Sequence, residues 1–147
     1  MAGGRIIGWG TALPEKVLTN HELSAMMDTN DEWITERTGI KQRHIGGSTA
    51  SLSVASARRA IAMAGIDPAS IDGLVLSTTT PDRTVPATSA TVQNELGLRC
   101  GAFDVNAACS GFVYAYVVAQ GLLAIGAKRL LVIGTDTLSR ITDWSDR

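Results

Sequence analysis

The sequence lacks several features that define large classes of proteins. It has no apolar stretch of the roughly 20 residues that a membrane-spanning helix needs. Its N-terminal residues have no apolar core with a small-residue cleavage pattern, so no secretory signal peptide is expected. The two cysteines, Cys100 and Cys109, form neither a disulfide framework nor a CxxC metal clamp. These absences predict a cytoplasmic protein without a metal site.

An excess of charge of one sign is also missing. The chain has 13 Lys and Arg residues against 14 Asp and Glu residues, and its formal net charge is −1. With no basic run, electrostatic binding to nucleic acid is not expected. No GxGxxG follows a predicted strand, and there is no P-loop, HExxH or EF-hand pattern. Hydride transfer, ATP hydrolysis and metal catalysis therefore have no positive support.

A layered α/β fold is what the remaining pattern predicts. The chain has 147 residues, 45% of them hydrophobic, which is enough for one sizeable core. Helical patterns cover residues 52–64, 88–96 and 110–125, and apolar strand patterns cover residues 74–79, 102–106 and 130–134. Strands that alternate with helices indicate parallel βαβ units. Because these strands are nearly continuous apolar runs, both faces of the sheet are expected to be covered.

The N-terminal third has shorter elements. Residues 5–10 (RIIGWG) are predicted to form a strand, residues 40–45 a strand or an extended connection, and residues 21–27 and 32–38 short helices. At the other end, no helix is predicted after the strand at 130–134, which we interpret as the mark of an incomplete domain. A second polypeptide or a continuation of the chain is expected to complete it.

Cys109 is the candidate nucleophile. It lies in FDVNAACSGF, where a predicted strand runs through small residues into a helix. At the first turn of a helix, unpaired N–H groups and the helix dipole favour the thiolate and lower the pKa of a cysteine. Backbone N–H groups at such a turn can also bind an oxyanion. The alternative is that Cys109, like Cys100, is a small buried hydrophobe. The following helix is apolar around most of its circumference, so it is expected to lie buried at the centre of the fold.

Trp33 and Arg37 are a candidate nucleotide site. They lie four positions apart, on one face of a predicted helix. An indole can stack on a base and a guanidinium can bind phosphate, although the same pair is also common as an ordinary surface contact. His21 and His44 have no identifiable nucleophile or carboxylate context, and both are interpreted as structural or solvent-facing.

The chain resembles the β-ketoacyl-acyl-carrier-protein synthase III family, the initiating condensing enzymes of type II fatty-acid synthesis. The stretches that carry the resemblance, in chain order, are RIIGWGTALPEKVLTN, DTNDEWITERTGIKQRHI, STTTPDRTVPATSATVQNELGL, FDVNAACSGFVYAY and LLVIGTDTLSR. The second and fourth are the most specific to the family. The resemblance implies a thiolase-like fold with αβαβα layers, of which residues 1–147 are the N-terminal half, and a homodimer.

The resemblance also implies a mechanism and site residues. Cys109 would take the acyl group of a short acyl-CoA such as acetyl-CoA, then condense it with malonyl-acyl-carrier-protein as carbon dioxide is lost. Trp33 would stack on the CoA adenine, Arg37 would contact its phosphates, and Thr29 would lie in the same site. Val85 matches a position that reaches the acyl pocket of the partner subunit. CoA enters as a substrate, and no separate cofactor is implied.

One departure from the family keeps other functions open. The catalytic His and Asn of the family lie in its second half, and neither His21 nor His44 matches them. The expectation is therefore that activity needs a C-terminal half. One alternative is another thiolase-fold acyltransferase or ketide-forming synthase. Another is an inactive half-domain that only binds CoA or a partner chain.

Overall fold

The computed structural model describes residues 3–146, which divide into two compact units. Residues 3–12 and 48–136 form the larger, here called the sheet unit. Residues 13–47 and 137–146 form the second, here called the small unit. Within the described range, no helix has both the length and the apolar character needed to cross a bilayer.

A parallel three-stranded sheet organises the sheet unit. Its strands are β3 (Gly73–Ser77), β4 (Gly101–Val105) and β5 (Leu130–Gly134), in the order β4-β3-β5. Both pairings are parallel, so the predicted βαβ arrangement is confirmed. Every residue of the central strand is buried, whereas the outer strands are partly exposed. Complete burial of every residue is therefore found for β3 alone.

Two helices cover one face of this sheet. They are α3 (Thr49–Ala64) and α4 (Thr88–Glu95). Side chains alternate along a strand, so Leu74 and Leu76 of β3 point to the same face. The buried core on this face comprises Ala50, Val54, Ala57, Ile71, Leu74, Leu76, Val92, Leu98, Leu131 and Ile133. Strands β3 and β5 and helices α3 and α4 all contribute residues to this cluster, which is the main hydrophobic core of the sheet unit.

The opposite face of the sheet carries α5 (Gly111–Ala124), and its environment corrects a prediction. The buried residues of α5 are Gly111, Ala115 and Ala119, one narrow stripe that packs on the strands. The large apolar side chains on its other sides are exposed, namely Phe112, Val113, Tyr114, Tyr116, Val117 and Val118. The expectation of a helix buried all round is wrong for this chain, because most of that surface is left uncovered within residues 3–146.

The last strand is better covered than predicted. Leu131 and Ile133 of β5 lie in the main core beside α3, while α5 packs on the other face of the same strand. A Cβ placed on Gly134 would come within 2.9 Å of the Phe112 ring. Helices that precede β5 in the sequence thus cover both of its faces, and the expectation of an uncovered last strand is wrong.

The predicted strand at residues 5–10 is not formed. This segment has no ladder partner in the described structure, and Trp9 is 63% exposed. Instead the segment runs along α3: a Cβ on Gly8 or on Gly10 would lie 2.3 Å from a carbonyl oxygen of that helix. The Arg59 guanidinium also donates to the Thr11 carbonyl. The two glycines therefore permit close approach to a helix rather than marking the end of a strand.

Carboxylates from distant positions cap the helices on the core face. Besides the Ser48 capping box, the Asp82 carboxylate accepts hydrogen bonds at the start of α3 from the N–H groups of Thr49 (3.1 Å) and Ala50 (2.7 Å). In the same way, the Asp104 carboxylate of β4 accepts from the first two N–H groups of α4, at 3.0 and 2.8 Å. These contacts satisfy donors that a helix start leaves unpaired.

The small unit has two short strands and two short helices. β1 (Val17–Thr19) pairs antiparallel with β2 (Gln42–His44), and the chain between them forms α1 (Asn20–Ser24) and α2 (Asp31–Thr38). Both predicted helices are confirmed, α1 with fewer residues than predicted and α2 with one more; a strand forms within residues 40–45 over a shorter range, and β1 was not predicted. Its core consists of Leu18, Leu23 and Ile34, flanked by Met27, Trp33, Ile45 and Trp144.

Candidate functional site

The turn that carries Cys109 joins β4 to α5. Residues Ala108–Ser110 form a single 3-10 turn that leads directly into the helix. The predicted strand-to-helix junction is confirmed. The Cys109 thiol is free and the residue is exposed, so the alternative interpretation as a buried hydrophobe is wrong. An exposed thiol at this turn can be reached by a substrate carbonyl.

Close packing at two glycines places this turn on the sheet. A Cβ on Gly111 would lie 2.2 Å from the Ser77 Oγ, at the last residue of β3. Phe112 packs over Gly134, the last residue of β5. The Cys109 turn therefore lies at the carboxyl ends of the parallel strands, which is where open α/β sheets bind their ligands.

The backbone before Cys109 has an unusual conformation. Ala108 has φ +45°, in the left-handed region that residues with a Cβ seldom occupy. Such a residue costs about 1 kcal/mol or more and persists only when its surroundings hold it there. Strained turns of this kind cluster at functional sites, and this one immediately precedes the candidate nucleophile.

The hydrogen bonds within the turn reduce the number of backbone amides that are available to bind an oxyanion. The Ser110 N–H donates to the Ala107 carbonyl at 3.1 Å, and the Gly111 N–H donates to the Ala108 carbonyl. Both amides are thus used within the turn. Of the three amides from 109 to 111, that of Cys109 itself is left as the candidate donor to an oxyanion.

Cys100 differs from Cys109 in its environment. It is half-buried at the start of β4 and packs against the main core. Burial raises the pKa of its thiol above the ordinary value, which disfavours the nucleophilic thiolate. The structural interpretation of Cys100 agrees with this environment.

A threonine-rich loop follows β3 beside the Cys109 turn, and sequence reasoning missed its anchor. The Asp136 Oδ1 accepts hydrogen bonds from the Thr79 N–H at 2.7 Å and the Thr79 hydroxyl at 2.8 Å. The Thr78 hydroxyl lies 3.3 Å from the same oxygen. The available signal was an Asp two residues after one strand and a run of Thr after its neighbour. Only the strand order brings the two together.

The second candidate site lies on α2 in the small unit. The Arg37 guanidinium lies over the Trp33 ring, 4.5 Å from its centroid, so the predicted shared helix face is confirmed. Trp33 is half-buried against the small-unit core, while Arg37 is exposed. The pair holds an aromatic ring and a cation in fixed relation, which suits a base with nearby phosphates.

Polar contacts fix the start of α2. The Asn30 side chain accepts from the Trp33 N–H at 2.8 Å, and the Asn20 side chain donates to Asp31 at 2.8 Å. The Asn20 hydrogen bond, helped by the charge of Lys41, holds the pKa of Asp31 below its ordinary value. The Asp31 carboxylate is thereby kept charged at the positive end of the helix.

Thr29, the third residue assigned to this site, precedes the Asn30 cap. Its N–H donates to the Met27 carbonyl at 2.9 Å. Its hydroxyl oxygen is buried and has no hydrogen-bond partner within residues 3–146. A buried hydroxyl without a partner costs free energy, and a ligand or water can satisfy it.

Two further sequence predictions concern single residues. The His44 Nδ1 lies 2.6 Å from the Pro14 carbonyl oxygen, a local contact that agrees with a structural interpretation. Val85 is 82% exposed and is joined to Pro86 by a cis peptide bond. Its side chain is therefore accessible in this chain.

Comparison with known proteins identifies relatives over the whole chain. Residues 103–147, which include Cys109, match the family model for 3-oxoacyl-[acyl-carrier-protein] synthase III. A beta-ketoacyl-[acyl-carrier-protein] synthase III of Erythrobacter litoralis is 55% identical over the full chain, which covers 47% of that protein. The chain spans about half the length of the curated relatives it matches, which is consistent with their N-terminal half.

Solved structures agree on the fold. The crystal structure of 3-oxoacyl-[acyl-carrier-protein] synthase III from Aquifex aeolicus matches 99% of this chain with a TM-score of 0.95 and 44% identity, over 48% of its own length. The priming beta-ketosynthase of a polyketide pathway matches 97% of the chain with a TM-score of 0.91 and 35% identity, over 44% of its length. The fold is therefore the thiolase-like α/β fold of these condensing enzymes, as predicted.

Proposed function

We propose that this chain is the N-terminal half of an initiating condensing enzyme, a β-ketoacyl-acyl-carrier-protein synthase III, and that Cys109 is its acyl acceptor. The observation that carries the proposal is the exposed thiol on a strained turn at the carboxyl ends of a parallel sheet. Such a turn presents a nucleophile from a rigid scaffold. The match over the whole chain to proteins of that name supports the same reaction class.

The first half-reaction is acyl transfer to sulfur. The Cys109 thiolate attacks the carbonyl carbon of a short acyl-CoA such as acetyl-CoA and forms a C–S bond. The carbonyl electrons move to oxygen, and the Cys109 N–H stabilises that charge. When the carbonyl re-forms, the CoA thiolate leaves and takes a proton. The product is an acyl-cysteine thioester.

The second half-reaction forms a carbon–carbon bond. Malonyl-acyl-carrier-protein loses carbon dioxide, and the electrons of the broken bond form an enolate. The enolate carbon attacks the acyl carbon, and the Cys109 thiolate leaves, free to begin another cycle. Catalytic His and Asn side chains of a C-terminal half would stabilise the enolate. No residue among 3–146 is proposed for that role.

CoA recognition is assigned to α2 and the residue before its cap. The Arg37 guanidinium lies over one face of the Trp33 ring, and the adenine is proposed to stack on the exposed part of this aromatic and cationic pair. Because Arg37 is exposed and always charged, it can also contact the CoA phosphates. The Thr29 hydroxyl offers an unused hydrogen bond to the same ligand.

Two protein partners complete the proposal. The exposed apolar sides of α5 are proposed to pack against the C-terminal half, because apolar surface of this extent is seldom left open to water. Their cover would also shield the acyl-cysteine from hydrolysis. A homodimer is proposed as the working assembly, with Val85 directed towards the second subunit. Both subunits would be cytoplasmic.

Intact mass spectrometry tests the central claim. The complete protein, with its C-terminal half, is mixed with acetyl-CoA and is expected to gain one acetyl group, which peptide mapping locates at Cys109. Cys109→Ala should gain none, while Cys100→Ala, the matched control, should be acetylated like the parent. An unmodified parent protein under turnover conditions, or a Cys109→Ala variant with full condensing activity, would contradict the assignment.

A related synthase is the second candidate, favoured by the similarity to a polyketide-priming enzyme. Cys109 would act in the same way, but the extender or the acyl group would differ. Turnover with malonyl-acyl-carrier-protein compared with malonyl-CoA separates the two. The third candidate, a half-domain that only binds CoA or a partner, predicts CoA binding with no acetylation of Cys109.

A further inference from the structure

Asp136, outside every motif that identifies the nucleophile, anchors the surroundings of Cys109. We infer that it is a positioning residue: its carboxylate holds the loop after β3 in the conformation that fixes the Cys109 turn. The expected effect on the rate of acetylation rests on the proposed function. The expected effect on the position of the Cys109 turn rests on contacts within the sheet unit.

The first contacts join Asp136 to the loop. Its Oδ1 accepts from the Thr79 N–H at 2.7 Å and from the Thr79 hydroxyl at 2.8 Å. The hydroxyls of Thr78 and Thr80 lie 3.3 and 3.5 Å from the same oxygen. A single carboxylate oxygen thus gathers the polar groups of three consecutive residues, of which two are buried. Charge-assisted hydrogen bonds of this kind are the stronger ones.

The second contacts join the loop to the two ends of the Cys109 turn. The Thr78 N–H donates to the carbonyl of Val105, the last residue of β4, at 3.1 Å. Ser77 lies against Gly111, the first residue of α5, so closely that no Cβ fits between them. The turn from 106 to 110 is therefore held at one end by Thr78, which contacts Asp136, and at the other by Ser77, the residue before Thr78. A shift of the loop would move the thiol.

Asp72 provides a matched control at the other end of the same sheet. Its carboxylate accepts from the N–H groups of Lys128 and Arg129 at 2.7 and 3.0 Å, just before β5. It therefore makes the same kind of contact as Asp136, but at the amino ends of the strands, away from Cys109. A residue that acts only on stability would behave alike at both positions.

The experiment compares Asp136→Ala, Asp136→Asn and Asp72→Ala in the complete protein. The rate of Cys109 alkylation by iodoacetamide is followed by peptide mapping, together with kcat and KM for acetyl-CoA. Asp136→Ala is expected to lower both the alkylation rate and kcat by about tenfold or more, with KM within about twofold of the parent. Asp136→Asn should recover most of the rate, because the four contacts use Oδ1 alone and the amide keeps that acceptor. Asp72→Ala should leave both rates within about twofold.

Thr79→Val keeps the inference testable where Asp136→Ala does not fold. It removes one hydroxyl contact, preserves the side-chain volume and should slow alkylation by about threefold. Equal effects of Asp136→Ala and Asp72→Ala on Cys109, or parent-like rates in Thr79→Val, would overturn the inference. A parent that is alkylated but never acetylated would contradict the proposed function alone. A parent that is acetylated while Asp136→Ala matches it would contradict the positioning role alone.

Discussion

Helices α3 and α5 cover opposite faces of one sheet, and they differ in how they are capped and in how much of their apolar surface is buried. α3 begins with a Ser48 capping box and the Asp82 carboxylate, and its apolar residues point into the main core. α5 begins without a side-chain cap among the described residues, directly after the left-handed Ala108. The apolar residues of α5 extend around most of its circumference, and most are exposed.

Within the sheet unit, α3 has the features of an element that stabilises the fold, whereas α5 has features that are common at functional sites. Local propensity, capping and burial agree along α3, which is how a sequence specifies a stable element. The same rules are broken along α5, at its uncapped start, its strained turn and its uncovered face. Such departures concentrate at functional sites and interfaces. The candidate nucleophile immediately precedes the helix that departs from them, and the same helix carries the surface proposed for the C-terminal half.

Matched charge substitutions on the two helices give the largest expected contrast. Val54 of α3 is 3% exposed and Val117 of α5 is 59% exposed. Val54→Asp buries an unpaired carboxylate and should lower the free energy of unfolding by more than about 4 kcal/mol. In the same chain, Val117→Asp should change it by less than about 0.5 kcal/mol. Denaturant unfolding of the 147-residue chain measures both.

In the complete protein, by contrast, Val117→Asp on α5 is expected to have a large effect. If the C-terminal half covers this face, Val117→Asp should prevent assembly or acetyl transfer there while leaving the isolated chain folded. A large loss of stability in the isolated chain would mean that the outer face of α5 is already packed. If Val117→Asp left assembly and acetyl transfer unchanged in the complete protein, the C-terminal half would not cover this face of α5.

Two glycines of α5 sharpen the comparison along one helix. A Cβ on Gly111 would meet the Ser77 Oγ at 2.2 Å, while one on Gly121 would meet nothing within 4 Å. Gly111→Ala should destabilise the sheet unit by about 1–3 kcal/mol through overpacking. Gly121→Ala should stabilise it by up to about 1 kcal/mol through helix propensity. Thermal unfolding of the two variants measures the difference, and effects of the same sign would contradict the close approach at Ser77.

The sequence was most informative where structure is set locally. Both ends of α2 follow from Asn30 and Gly39, and the end of α3 follows from Gly65, because caps and left-handed stops act within a few residues. The parallel strands follow from apolar runs between helices. The turn at Cys109 was also predictable, since a short run of small residues separates a strand pattern from a helix pattern.

What depends on distant residues was not predictable from local pattern. Residues 5–10 look like a strand, but Gly8 and Gly10 pack on α3 instead. The apolar α5 indicated burial on all sides, although most of its outer face is exposed in the described part of the chain. The Asp136 contacts join positions 57 residues apart along the chain. Strand order and helix contacts bring such pairs together, and no window of adjacent residues encodes them.

The cap of α3 provides a smaller test of the same contrast. Asp82→Ala removes the acceptor for the Thr49 and Ala50 amides and should cost about 1–2 kcal/mol of unfolding free energy. Asp67→Ala, which removes a local contact to the Ala69 N–H in an exposed turn, should cost less. Urea unfolding measures both, and equal losses would show that the distant carboxylate adds nothing beyond a local turn contact.

The strained turn before α5 gives the smallest and most specific test. Glycine occupies φ +45° at no steric cost, so Ala108→Gly relieves strain that offsets its larger chain entropy. Its unfolding free energy should therefore stay within about 0.5 kcal/mol of the parent. Ala107→Gly, at φ −147°, gains no such relief and should lose about 0.5–1 kcal/mol.

The Ala108→Gly variant also tests whether the strained backbone at Ala108 affects the reactivity of Cys109. If the left-handed Ala108 helps to hold the thiol in place, Ala108→Gly should slow acetylation of Cys109 in the complete protein despite its unchanged stability, because glycine lets the turn sample other conformations. Acetylation as fast as in the parent, measured by intact mass against time, would mean that this conformation is a by-product of packing Gly111 on Ser77. In that case α5 would differ from α3 in its uncovered face and its missing cap, and the strain before Cys109 would have no part in the difference.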